Sequence, residues 1–236
     1  MSDKFDSFRP NVGVTVASII LKDGQLQVLT YMRPLHAETF PDCLALPNGF
    51  MNIEKHSSIE DAAYDALQEK TGAKAAKLEQ LHSFSGTYID PSRRLTVNIG
   101  FVAMLKANEV YFGDDYQSPN MENVQWMPIK DALAMDSDMF AFNHKEVLEK
   151  ALDQILRAGS PILVAVELLP DEFTIPELRM AYQLISNNTL NDNSLRNKIF
   201  KTGFIEPTGT KRSIKSVRPA DLYRKNQSFK GTVVLE

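Results

Sequence analysis

The sequence predicts an α+β chain of two domains: strands around one strong helix, then a compact helical set closed by a β-hairpin. Three observations predict it. The length of 236 residues suits two modest domains. The segment Ala158-Gly159-Ser160-Pro161 interrupts the apolar patterning and sets the boundary, giving domains 1–157 and 158–236. Charge divides at nearly the same place. From Thr174 onward eleven basic residues stand against five acidic ones, a net of +6, so a whole-chain net of −4 leaves −10 on the first 173 residues. Opposite signs in two regions imply two jobs.

In the first domain, Val12 to Leu21 is rich in β-branched residues and reads as a strand. Asp23-Gly24 is a hairpin turn signal, and Gln25 to Arg33 alternates as the returning strand. Leu44 to Pro47 is a short apolar piece before a turn at Asn48-Gly49. Ser57 to Thr71 is a helix: Ser57 with Glu60, or Ser58 with Asp61, makes a capping box, and Gly72 is a natural stop. Its residues Ile59, Ala62, Ala63, Ala66 and Leu67 form one apolar stripe. Lys77 to Ser85, Leu95 to Leu105 and Val124 to Met127 read as strands, and Pro128 to Ala134 as a short helix. His144 to Arg157 carries Val147, Leu148, Ala151, Leu152, Ile155 and Leu156 at helical spacing and is the candidate lever between the domains.

In the second domain, Pro161 to Leu169 is an apolar first helix. Thr174-Ile175-Pro176-Glu177 is a capping box that starts a second helix, ended near Ser186 by Asn187-Asn188. Asn191 caps a third helix to Thr202, and Gly203 ends it. There Leu195 and Ile199 point to the core, while Asn193, Ser194, Asn197, Lys198 and Lys201 are placed on the far face. That face offers amide, hydroxyl and ammonium groups and no acid, which suits a DNA major groove. Phe204 to Glu206 and Ser213 to Val217 are expected to flank Pro207-Thr208-Gly209-Thr210-Lys211-Arg212, a basic hairpin tip whose Lys211 and Arg212 suit either phosphate or a minor groove.

Composition narrows the classes. Hydrophobic residues are 43% and charged residues 24%, which excludes a disordered tail, a collagen and a disulfide scaffold. The net charge excludes a uniformly basic nucleic-acid coat but permits a local basic patch. Cys43 stands alone and has no internal partner, so a reducing compartment is expected. The first residues carry acids where a signal peptide carries bases. The run Ile162 to Leu169 is far short of the roughly 18 residues of a membrane span and contains Glu167. These points lead to the expectation of a cytoplasmic protein without a membrane partner.

Leu46-Pro47-Asn48-Gly49-Phe50, followed by a capped helix ending Leu67-Gln68-Glu69-Lys70-Thr71-Gly72-Ala73, resembles the Nudix box. The family pattern is Gly, five residues, Glu, seven residues, then Arg-Glu-aliphatic-any-Glu-Glu-any-Gly-aliphatic. It gathers carboxylates on one helix face to hold magnesium against a pyrophosphate. Here the frame is kept and the acids are lost. Counting back from Gly72, the adjacent acids fall on Glu69 and Lys70, the earlier acid on Ala66 and the arginine on Asp65. Gly49 to Gly72 spans 23 positions where the family has 21, and the first acid lands between Lys55 and Ser57, where there is no carboxylate. The expectation is no catalytic residue, no metal and no cofactor.

Gly86-Thr87-Tyr88-Ile89-Asp90-Pro91-Ser92-Arg93-Arg94 is similar to a segment of ADP-ribose-handling Nudix proteins. Paired arginines at a turn suit a diphosphate, because guanidinium forks bind phosphate oxygens bidentately. The candidate ligand residues are Arg33, Asn48, Gly49, Phe50, Tyr88, Asp90, Arg93 and Arg94, with Phe50 and Tyr88 available to stack on an adenine. His36, His56, His82 and His144 have no metal-ligand spacing and read as structural or exposed.

The second domain, through Arg218-Pro219-Ala220-Asp221-Leu222-Tyr223-Arg224, resembles the winged-helix tail of the Nudix-related transcriptional regulators of NAD metabolism. The resemblance covers nearly the whole chain. It implies a Nudix-like α/β/α sandwich with a mixed sheet joined to a winged helix-turn-helix. It further implies a repressor of NAD-metabolism genes, acting as a homodimer on operator double-stranded DNA and released by ADP-ribose or a related nucleotide. The alternative is a magnesium-dependent ADP-ribose or nucleoside-diphosphate hydrolase that uses relocated carboxylates such as Glu54 or Glu60. A winged helix serving protein contacts alone is a third possibility.

Overall fold

The computed structural model describes residues 10–71, 77–93, 95–110, 122–157, 160–213 and 219–230. Gly72, Arg94, the Ala158-Gly159 part of the expected boundary and 214–218 lie outside these described residues. Two compact units emerge. One comprises residues up to Ile19, Gln27–Leu105 and Glu109–Leu152; the other comprises Ile20–Leu26, Lys106–Asn108 and Asp153 onward.

A mixed sheet forms, as expected. Strand β1 (Asn11–Lys22) is its buried centre, with Val14, Val16, Ala17, Ile19 and Ile20 fully packed. Each such Val or Ile side chain contributes about 1.5–3 kcal/mol by leaving water. Asp23 and Gly24, both with positive φ (51° and 72°), turn the chain into β2 (Gln25–Met32). A pair of left-handed residues is the hairpin turn that matches strand twist. Two-residue β3 (Leu44–Ala45) pairs with β2.

Asn48-Gly49 is not the expected turn. It opens β4 (Asn48–Phe50), antiparallel to β1 in the register Thr15 to Asn48, Val14 to Gly49 and Gly13 to Phe50. Neither residue has positive φ, so pairing with the buried central strand overrides the local turn preference. Helix α1 (Ile59–Thr71) follows, and its stripe of Ala62, Ala63, Ala66 and Leu67 is buried. Of the two possible caps, Ser58 with Asp61 forms: the Asp61 amide donates to Ser58 Oγ (3.1 Å) and the Ser58 amide to Asp61 Oδ2 (3.1 Å).

Strand β5 (Lys77–Gly86) pairs antiparallel with β6 (Thr96–Met104), and β6 runs parallel to β1 from Asn11–Thr96 to Ile19–Met104. Strand β7 (Glu122–Pro128) closes against β2. Short helix α2 (Ile129–Ala134) and helix α3 (His144–Leu156) complete the expected order, with Val147, Leu148, Ala151 and Ile155 buried.

In the second unit, α4 (Pro161–Leu168) buries Ile162, Val164, Ala165, Val166 and Leu168. Helix α5 (Ile175–Ser186) starts on the full Thr174–Glu177 capping box, worth about 1 kcal/mol. It ends at Asn187 in the left-handed conformation. Helix α6 (Asp192–Thr202) is capped by Asn191, whose side chain accepts from the Ser194 amide at 2.8 Å, and ends at left-handed Gly203.

The hairpin differs from expectation. Pro207 and Gly209 do not form its tip; they lie within β8 (Ile205–Arg212), which pairs with β9 (Ala220–Lys225). A two-stranded sheet tolerates a residue without N–H, and the register shift between Pro207 and Lys211 accommodates Gly209 at φ 81° as an irregularity. Lys211 and Arg212 sit at the end of β8. Among the described residues no helix is long and apolar enough to cross a membrane.

Candidate functional site

Strands β1, β4 and β6, the 89–90 turn and the approach to α3 enclose a cleft of about 290 Å³, open mouth included. Gly13, Gly49, Phe50, Ile89 and Phe142 form its walls. Its floor is polar and buried. Thr15 Oγ1 donates to Asn98 Oδ1 (3.1 Å), and Asn98 Nδ2 donates to Asn143 Oδ1 (2.8 Å). Among the described residues Thr96 Oγ1 on the lining has no hydrogen-bond partner, nor does Asn143 Nδ2, which lies behind the lining. Leaving a buried polar atom unpaired costs about 1–3 kcal/mol.

His144, the first residue of α3, also lines the cleft. Its Nδ1 accepts from the Leu46 amide at 3.0 Å, so the neutral ring carries its proton on Nε2. Complete burial, aided by the charge of Arg33, pushes its pKa down to about 3. The floor is therefore uncharged at neutral pH. Phe142 is held at φ 55°, a strained position for an aromatic residue, with its ring 5.2 Å from that of His144.

Of the expected ligand residues, Asn48, Gly49, Phe50 and Asp90 line the cleft. Asn48 is oriented by Tyr31, whose hydroxyl donates to its Oδ1 at 2.7 Å. Arg93 joins them: its guanidinium lies 4.5 Å from the Phe50 ring centre and its Nε donates to Asp90 Oδ2 at 3.0 Å. Asp90 in turn receives the Ser92 amide and hydroxyl, so the turn is fixed around Arg93. Arg33 is bound elsewhere, donating to the Thr39 and Phe40 carbonyls and resting 4.9 Å from the Phe142 ring centre. Tyr88 does not line the cleft; its ring folds back over Gly86, where a Cβ would come within 2.7 Å. Reasoning from sequence missed Thr15, Thr96, Asn98, Asn143 and His144. The available signal was polar residues inside otherwise apolar strands.

The helix that supplies acids in the Nudix pattern offers little to a cation. Ala66 is buried at 3% exposure. Asp65 and Glu69 both turn to Lys55, whose Nζ is 2.5 Å from Asp65 Oδ2 and 3.6 Å from Glu69 Oε1. Counted forward from Gly49, Lys55 occupies the pattern's first glutamate; counted back from the pattern's end, Asp65 occupies its arginine. The two positions keep opposite charges with the signs exchanged, and they meet. This contact holds the Asp65 carboxyl below the usual range and raises the Lys55 ammonium. Among the described residues no group of three or more His, Cys, Asp or Glu side chains is placed to hold a metal. The donor set does not fit the near-octahedral oxygen shell that magnesium needs.

On α6, Leu195 and Ile199 are buried, while Asn193, Asn197 and Lys201 are exposed and Ser194 and Lys198 half-buried. Lys198 thus lies on the flank of the helix. Arg196, absent from the expected set, is exposed. Lys211 lies 3.3 Å from Asp221, and Arg212 donates to Glu177 Oε1 and the Glu172 carbonyl, both at 2.7 Å. Arg212 is therefore tied to the start of α5.

The family model of the NrtR DNA-binding winged helix domain matches residues 165–225. The chain carries a Nudix-like domain followed by an NrtR winged helix. A relative of nearly full length is the ADPR responsive transcriptional repressor NtrR of Acinetobacter baylyi, 28% identical over 221 residues, 94% of this chain and 84% of that one. Shewanella oneidensis NrtR complexed with a 27mer DNA has a similar structure: TM-score 0.77, 25% identity, covering 91% of this chain and 93% of that one. The Nudix domain of the same protein complexed with ADP ribose matches with TM-score 0.55 and 25% identity, over 65% of this chain and 94% of that one. Helix α6 lies within the residues that match the NrtR DNA-binding winged helix domain.

Proposed function

We propose that this chain is a ligand-responsive transcriptional repressor of NAD-metabolism genes. Its NrtR winged helix binds operator DNA, and ADP-ribose or a close relative releases it from the Nudix-like cleft. The carrying observation is a cleft with an uncharged hydrogen-bonding floor in a Nudix frame whose helix, among the described residues, sets no three acids together to hold a metal. Such a site recognises a nucleotide without supplying the cation grip that splits a pyrophosphate. Arg93 at the cleft edge is the cation for the diphosphate. The Acinetobacter and Shewanella relatives, named for ADP-ribose response and solved with DNA and with ADP ribose, support the same pairing of ligands.

The response needs two states with different affinity for DNA. Phe142 and His144 line the cleft, and His144 begins α3, which passes from the first compact unit into the second between Leu152 and Asp153. A ligand that resets the start of α3 thereby acts on a continuous element. A coupling of about 1–3 kcal/mol changes DNA affinity roughly 5- to 150-fold, enough for a switch. A homodimer in the cytoplasm, presenting two α6 helices to paired half-sites, completes the proposal. Calorimetric titration with ADP-ribose in EDTA tests the sensing half. Binding without added metal, and intact ADP-ribose after prolonged incubation with magnesium, is the expected result. Metal-dependent turnover in the ordinary enzyme range would establish the hydrolase instead.

A further inference from the structure

The second unit has five described arginines, and four are held by carboxylates: Arg157 by Asp153, Arg179 by Asp192, Arg212 by Glu177 and Arg224 by Glu206. Arg196 is the exception. It is exposed and, among the described residues, has no hydrogen bond or ion pair. Its guanidinium instead rests 5.4 Å from the Phe200 ring centre, and Phe200 packs on Tyr223 of β9 at 5.2 Å. A guanidinium supported by a ring keeps its planar fork while leaving its N–H donors free. The acids beside it are occupied, Asp192 by Arg179 and Asp221 by Lys211. They therefore do not draw it away from an incoming ligand.

Position along the helix gives the ligand. Asn193 and Asn197 are exposed on the face opposite the buried pair Leu195 and Ile199, and Arg196 is exposed on the flank beside β9. Three residues of helix advance about 4.5 Å, between one and two base-pair steps of about 3.4 Å. In the major groove a guanidinium pairs bidentately with guanine O6 and N7, and a carboxamide with adenine N6 and N7. Lys201, exposed near the C-terminal end of α6, suits phosphate.

We propose that Arg196 is the guanine-reading residue of the operator half-site, held ready by the Phe200–Tyr223 stack, with Asn193 and Asn197 reading the bases next to it. This rests on the operator-binding reading above. The test selects duplexes from a library with a randomised core, using the full-length wild type, Arg196→Ala and Arg196→Gln. Thermal melting checks that both variants fold. The wild type is expected to enrich one guanine per half-site. Arg196→Ala loses that preference alone, binds the best wild-type sequence about 5- to 150-fold more weakly and keeps the salt slope; Arg196→Gln shifts the position toward adenine. Equal weakening on all sequences, with a salt slope lower by about one phosphate contact, would make Arg196 a backbone contact and overturn the proposal. Unchanged sequence preference in both variants would overturn it too. A wild type that enriches no sequence would remove the operator-binding reading itself, a distinguishable failure.

Discussion

Lowering the pH is expected to destabilise the first unit through His144 before most carboxylates titrate. The ring is 1% exposed and accepts the Leu46 amide on Nδ1, so protonation removes that bond and buries a charge near Arg33. Its folded pKa of about 3 lies below the ordinary value of 6.5. The folded state thus favours the neutral ring: its contribution is complete above pH about 6.5 and falls away as the pH drops toward 3. Between pH 7.5 and 5 the unfolded chain takes up nearly one proton that the folded chain refuses, a loss of about 2 kcal/mol. Because pH 5 is still well above the folded pKa, this loss barely depends on the exact folded value. Trp126, the sole tryptophan, lies in β7 opposite Leu29 and reports unfolding of this unit. Urea titrations followed by its fluorescence, at both pH values, compare wild type with His144→Gln, which stays neutral and keeps an acceptor. The wild type should lose about 2 kcal/mol more than the variant. Equal losses would mean that the ring is not buried neutral and would refute the description of the cleft floor.

Ala66→Glu, which restores one acid of the Nudix pattern, should cost about 1–3 kcal/mol in denaturant titration and bring no ADP-ribose hydrolysis, because the site is packed and the nearby carboxylates Asp65 and Glu69 are engaged by Lys55. Lys201→Ala should weaken operator binding and reduce the salt slope by about 0.9 in gel-shift assays; Lys198→Ala should do the same if that flank also meets phosphate, and unchanged slopes for both would count against the docking of α6. Arg212→Ala should lower the melting temperature of the second unit through a loss of about 1 kcal/mol, with less effect on DNA binding than Lys201→Ala, since its donors are spent on Glu177 and Glu172.

Features made by neighbours in sequence were legible beforehand. The Thr174–Glu177 box, the Asn187 and Gly203 ends and the Asp23-Gly24 hairpin are all local, and each formed. The cleft floor was not legible, because it joins residues far apart: Thr15 meets Asn98 across 83 positions and Asn98 meets Asn143 across 45. No local pattern marks such partners. Arg33 was placed correctly at a strand end, yet its donors are taken by the Thr39 and Phe40 carbonyls. Pro207 and Gly209 have the composition of a turn, but edge pairing and a bulge absorbed both. On α6 the inward face was legible from Leu195 and Ile199, while Arg196 and Lys198 flank that face symmetrically by helical spacing, so the exposure of the one and half-burial of the other were not.

The most direct measurement is fluorescence anisotropy of a labelled operator duplex, bound to the full-length protein and titrated with ADP-ribose in EDTA. The account predicts release of the duplex, with an apparent affinity for DNA at least 5-fold lower at saturating ligand. Unchanged or tighter DNA binding, under conditions where calorimetry shows the nucleotide bound, would contradict it.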